Sequence, residues 1–214
     1  MALSLDHIFI ITKPEASEAQ RLLDIGFVEG NSNAHPGQGT SNRRFFLKSF
    51  TIELLYVSDA HEAAKGAGQG LGILKRSRDM EASPFGLVVR VSKDQSVPAF
   101  PSWQYVPDYF DGKMCFYVGA NSEQLQEPLC ICMPPSLAKN SSVAVEYANP
   151  GWTLTALDID VPIGKPSETL RHFEAMKRVR INYGKPHKMT LTFNNGVAGR
   201  EEDLSPDLPL TLQW

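Results

Sequence analysis

LDHIFII at residues 5–11 and TIELLYV at residues 51–57 are the two stretches on which the reading of this chain turns. Strict alternation in the first puts Leu5, His7, Phe9 and Ile11 on one face and Asp6, Ile8 and Ile10 on the other. In the second, Glu53 shares a face with Thr51 and Leu55. Between them, Thr12 and Pro14 signal a helix start, with Glu15 and Glu18 where the helix dipole favours negative charge. Ala16, Ala19, Leu22 and Leu23 form its apolar stripe, and Gly26 closes it. Phe27 to Glu29 read as the start of a short strand, followed by the glycine-rich loop GNSNAHPGQGT at 30–40. A strand at 42–48, NRRFFLK, then turns near Ser49-Phe50 into TIELLYV. The order is strand, helix, strand, strand, strand.

The far end of the chain reads similarly. WTLTALDIDV (152–161) is a strand and PSETLRHFEAMK a helix, with Leu170, Phe173 and Met176 or Lys177 on one side. VRINY (179–183) and HKMTLTF (187–193) read as a hairpin across Gly184-Lys185-Pro186, and LPLTLQW as a closing strand. This predicts an α+β chain of two related βαβββ modules: an N-terminal one over 1–60, a connector with middle strands over 61–150, and a divergent C-terminal one over 151–214. FGLVVRV (85–91), KMCFYV (113–118) and PLCICM (128–133) are the middle strands. Pro98 to Asp111 reads as an ordered aromatic loop, and 134–150 as a surface crossover. GAGQGLG (66–72) has the wrong spacing for a dinucleotide fingerprint.

Composition narrows the function classes. The chain has 214 residues, 42% hydrophobic and 21% charged, which suits a globular protein with a substantial core. A net charge of −3 with no basic stripe argues against nucleic acid as a partner. MALSLDHIFIIT is short and interrupted by Asp6 and His7, so neither a signal peptide nor a membrane span is expected. Three cysteines, Cys115, Cys130 and Cys132, without a Cys-x-x-Cys pair fit reduced thiols and a cytoplasmic setting.

The strand–helix–strand–strand–strand order, with His7 in LDHIFI and Glu53 in TIELLYV, resembles the module of the vicinal-oxygen-chelate (VOC) superfamily. HPGQGTSNRRFF ahead of a strand carrying ELL resembles its glyoxalase-like branch of bacterial proteins. The likeness is strongest over residues 4–58. It implies a glyoxalase/bleomycin-resistance-like fold whose βαβββ modules curl one sheet into a cup for a small-molecule ligand. It further implies that His7 and Glu53 are catalytic, or ligands of a divalent metal such as Fe, Mn, Ni, Zn or Co, which would polarise substrate oxygens as a Lewis acid. Metal-dependent lyases, isomerases and dioxygenases of this superfamily draw a second His and a second carboxylate from the other module. Here Gly86 stands at the His position of FGLVVRV, TALDIDV offers Ala156, Leu157 or Asp158, and Thr211 or Glu127 stand in for the carboxylate. The same resemblance includes metal-free members that sequester a ligand, as bleomycin-resistance proteins do.

The loop and the strand after it supply candidate substrate-binding groups: His35, Gln38, Asn42, Arg43 and Arg44. Successive strand residues point to opposite faces, so one arginine of the pair enters the cup and can clamp an anion; the alternative is a loop that caps its own backbone beside solvated arginines. Arg90 carries the same two readings. His61, His172 and His187 read as surface or capping residues, and Asp158 and Asp160 as a solvated strand edge. Cys130 and Cys132 read as small core residues, and Trp103, Tyr105 and Tyr109 as aromatic packing or a pocket wall. Hydrolase, zinc-protease and nucleoside-triphosphatase motifs are absent. A homodimer is expected on general grounds.

Overall fold

The computed structural model describes residues 3–48, 50–92, 95–110, 114–133 and 151–214, so the crossover expected over 134–150 lies outside the described residues. At its centre is β1 (Ser4–Ile11), hydrogen-bonded in parallel to β4 (Thr51–Val57) and antiparallel to β5 (Phe85–Arg90). Outward from β4 lie β3 (Thr40–Phe46) and the short β2 (Asn33–His35). Outward from β5 lie β8 (Leu129–Cys132), β7 (Phe116–Gly119) and β6 (Ser102–Tyr105). The eight strands run β2-β3-β4-β1-β5-β8-β7-β6 in one curled, half-barrel sheet.

Each half of that sheet has the same wiring. β1 pairs in parallel with the last strand of its half, β4, and β5 does so with β8. β1–β4 fall within 1–60, β5–β8 within 61–150 and the remaining strands within 151–214, so the middle strands, expected beside a connector, form the second half of the sheet. The C-terminal strands β9 (Leu154–Val161), β10 (Val179–Tyr183), β11 (Lys188–Phe193), β12 (Glu201–Asp203) and β13 (Leu210–Gln213) build a separate sheet, ordered β10-β9-β11-β13-β12. β10 and β11 flank β9 on opposite sides, so the expected hairpin between them is not formed. Their adjacent spacing resembles a hairpin, but β9 lies between them, parallel to β10 and antiparallel to β11, so the turn at 184–186 crosses over β9.

Period-two patterning splits the apolar residues into two sets. Ile8, Ile10, Phe45, Ile52, Leu54, Leu87, Val89, Cys130 and Cys132 face the convex side and pack with Leu157, Ile159, Leu191, Phe193, Leu210 and Leu212 of the second sheet. The helix α1 (Ala19–Asp24) closes the same layer through Ala19 and Leu22. It starts later than the sequence suggests, because Glu15 and Ala16 take positive φ of 64° and 47°. Phe27–Glu29, expected as a strand, is irregular.

Among the described residues, no α-helix lies between β5 and β6 in the second half. That part of the convex face is instead packed by α4 (Glu168–Glu174) of the C-terminal sheet. Phe173 lies 5.2 Å from Phe100, and Thr169 donates to the Pro101 carbonyl at 3.0 Å. Buried Glu127 receives the Ser167 amide and hydroxyl at 2.6 Å each at the start of α4, and the Asn121 amide at 2.9 Å. The helices α2 (Ala60–Lys65) and α3 (Ile73–Arg76) connect the halves. From α3, buried Arg76 donates to the carbonyls of Leu125 and Glu127 at 2.9 and 2.7 Å. No helix among the described residues is long and apolar enough to cross a membrane.

Candidate functional site

The concave face encloses a cavity of about 840 Å³. Its floor is apolar, with Phe9, Leu55, Val88, Leu129 and Ile131 projecting from the central strands. Tyr105, Tyr109 and Phe110 add an aromatic wall from the segment read as an aromatic loop, which carries the edge strand β6 and a short 3-10 turn, and Phe116 joins them from β7. Into this surface the first half of the sheet inserts His7, Glu53 and Arg44.

His7 and Glu53 converge, with Nε2 and Oε2 4.0 Å apart. The strand register explains it: Glu53 pairs with Phe9, one concave position from His7, and Arg44 pairs across β3 with Glu53. A β-bulge between Leu5 and His7 adds a feature that simple alternation misses. Asp6, expected on the opposite face with Ile8, turns to the cavity rim at the bulge and accepts His7 Nδ1–H at 2.8 Å. Arg90, from β5, pairs with the other oxygen of Asp6. Burial pushes the Asp6 carboxyl up, but hydrogen bonds and charge from His7 and Arg90 overcome this and hold it well below its usual range. An ionised Asp6 only accepts, so Nδ1 of His7 carries a proton, and Nε2 is turned toward Glu53.

His35 is set the other way. Tyr105 donates its hydroxyl to Gln38 Oε1 at 3.1 Å, Gln38 Nε2 donates to Thr40 Oγ1 at 2.7 Å, and Thr40 Oγ1 meets His35 Nδ1 at 3.0 Å. In a chain running in that direction, Thr40 donates to Nδ1, and the imidazole proton is on Nε2. Burial lowers the His35 pKa, opposed by Glu53 and assisted by the positive charge of Arg44 and by His7, so the ring is held neutral. The two imidazoles thus differ in hydrogen-bonding sense.

The arginine pair divides as the alternation requires. Arg44 lines the cavity, with Nε bonded to the Asn31 carbonyl at 2.6 Å, Nη2 to Asn33 Oδ1 at 3.2 Å, and its guanidinium 4.9 Å over the Phe46 ring. Arg43 does not contribute to the cavity: it is held on the other side by Glu29, with Nε to Oε1 at 2.7 Å, and by the Ala16 carbonyl. Asn42 is buried beside β2, which it pins by accepting the Asn33 amide at 2.8 Å; it does not line the cavity. Gln38 lines it, although both ends of its amide are engaged by the wall. Cys130 and Cys132 are core residues, and Asp158 and Asp160 pair with Arg180 and with Asn182.

The donor set does not complete a metal site of the implied kind. About the central pair Ile8↔Leu87, His7 corresponds to Gly86 in the second half. Since Glu53 pairs with Phe9 and Ile131 with Val88, Glu53 corresponds to Ile131. Gly86 is also sterically closed, because a Cβ there would meet the Phe9 ring at 2.0 Å. Among the described residues, no group of three or more His, Cys, Asp or Glu is placed to hold a metal ion. The two donors present fall short of the usual three or four.

No protein-family model matches the chain, and no curated protein matches it. Among solved structures it resembles a hypothetical protein from Staphylococcus aureus, with a TM-score of 0.61 at 14% identity, over 100% of this chain and 99% of that one. The two therefore share a fold. A hypothetical protein from Bacillus halodurans matches more weakly, with a TM-score of 0.39 at 13% identity over 62% of this chain and 94% of that one.

Proposed function

We propose that the chain is a glyoxalase-like member of the VOC superfamily that acts on a small oxygenated, anionic metabolite held in the cup. The convergence of His7 and Glu53 at 4.0 Å inside one apolar cavity carries this reading. Glu53 serves as the base that takes a substrate proton, and His7 relays that proton through Nε2. Asp6 and Arg90 keep His7 oriented, while Arg44 receives the anionic group. The proposed chemistry is proton transfer by these side chains, and no step is assigned to a metal.

The test is a panel of short hydroxy and keto acids, followed by thermal shift and by mass-spectrometric detection of conversion. Conversion of one member should fall at least about 100-fold in Glu53→Gln, with binding retained. Conversion at the parental rate in both Glu53→Gln and His7→Gln would reject the reading. A second reading, ligand sequestration without turnover, draws support from Gly86 and Ile131, which leave the second half of the site without chemistry. Under it, ligand is recovered unchanged and bound as tightly by Glu53→Gln as by the parent.

A further inference from the structure

We infer that the cup's ligand is an amphipathic carboxylate, bound with its acid head against the first half of the sheet and an apolar tail against the second. This rests on the reading that the cavity takes a small oxygenated anion, and it specifies the rest of that molecule. The observation behind it is a polarity difference between two halves that share one wiring. His7 corresponds to Gly86 and Glu53 to Ile131, as derived above. Arg44 pairs with Glu53 and Val118 with Ile131, so Arg44 corresponds to Val118. Each of these three groups of the first half is matched by an apolar residue or a glycine in the second.

A ligand that fills such a cup must differ between its two ends. Arg44 uses Nε and Nη2 to hold the β2 segment, and Nη1 has no protein acceptor among the described residues. That leaves this charged donor for the head, beside Nε2 of His7. Opposite it, Val88, Leu129, Ile131 and Phe116 offer no hydrogen-bonding side-chain atom. A cavity of about 840 Å³ is in the range that encloses drug-sized molecules. A three-carbon acid on Arg44 would leave the apolar wall wet, whereas a tail removes that surface from water.

The proposal is tested by calorimetric titration of the whole chain with butanoate, hexanoate, octanoate and decanoate, and with octan-1-ol. The dissociation constant should fall about fourfold per added methylene, the factor expected for burying a CH₂ group. Octan-1-ol should bind at least about tenfold more weakly than octanoate, and Arg44→Gln should close that gap. Ile131→Asn should flatten the chain-length dependence while keeping the preference for acid over alcohol. A flat series, an alcohol that binds as well as the acid, or no binding by any member overturns the proposal; the first two need only the parent protein. Conversion of a short oxygenated acid together with a flat series would refute the tail and spare the proposed activity. A steep series with no acid converted would support the tail and refute the activity.

Discussion

Asp6 shows how a single residue's direction decides the chemistry around it. Adjacent residues of a regular strand point apart, so Asp6 reaches the His7 ring only because the bulge adds a residue at that point. The sequence displays no sign of this: Asp6-His7 reads as plain alternation, and Arg90 as either an anion clamp or a solvated arginine. The Arg43/Arg44 division, by contrast, was legible in principle, since two consecutive strand residues must part, although which enters depends on the register with Glu53. His35 carries a prediction in pH. Its folded-state pKa lies below the ordinary 6.5, so the unfolded chain takes up a proton first as pH falls. Its contribution to stability is full above 6.5, is lost as pH drops from there toward the folded value, and is level beneath it. His187, lowered by burial, acts in the same sense, so the difference between variants is what reports on His35. Urea unfolding from pH 7.5 to pH 5 should show a shallower loss in His35→Gln than in the parent. Parallel curves would contradict the assignment.

Among the elements, β1, β3, β4, β5, β8 and α4 were readable because each has a clean period of two or a helical stripe. β6 was hidden within a run rich in aromatics and proline, where an edge strand of four residues leaves little pattern. Pairing was harder to read than the strands themselves. Local alternation cannot say that β10 joins β9 in parallel, because that register is set by contacts far along the chain. β5 shows what such a contact can fix. Gly86 lets the tip of the Phe9 ring lie against β5, and any side chain there displaces it. Gly86→Ala should lower stability by about 1–3 kcal/mol through overpacking and push Phe9 into the cup. Denaturant unfolding with octanoate titration in parallel checks both effects, and an alanine variant as stable as the parent would show that the ring yields freely.

For the molecule as a whole, the α+β class was legible in the alternating strands and the curled sheet was implied by the family resemblance, but which segment supplies the second half was not legible. The βαβ order near the C-terminus imitates a second module because α4 does pack behind the second half of the cup, from another sheet. That arrangement predicts that residues 1–133 do not fold alone. Without the second sheet, Ile8, Ile52, Leu54 and Leu87 lose their cover. The fragment should bind a hydrophobic dye and lack near-ultraviolet dichroism, and a cooperatively melting, monodisperse fragment would disprove this. The two faces of the eight-stranded sheet also divide the labour between folding and recognition. The main core lies behind the sheet, whereas the cup in front is lined by a smaller, separate cluster. Substitutions in the lining can therefore retune what is bound while the scaffold behind it stays intact, leaving descendants of this chain free to exchange one ligand for another.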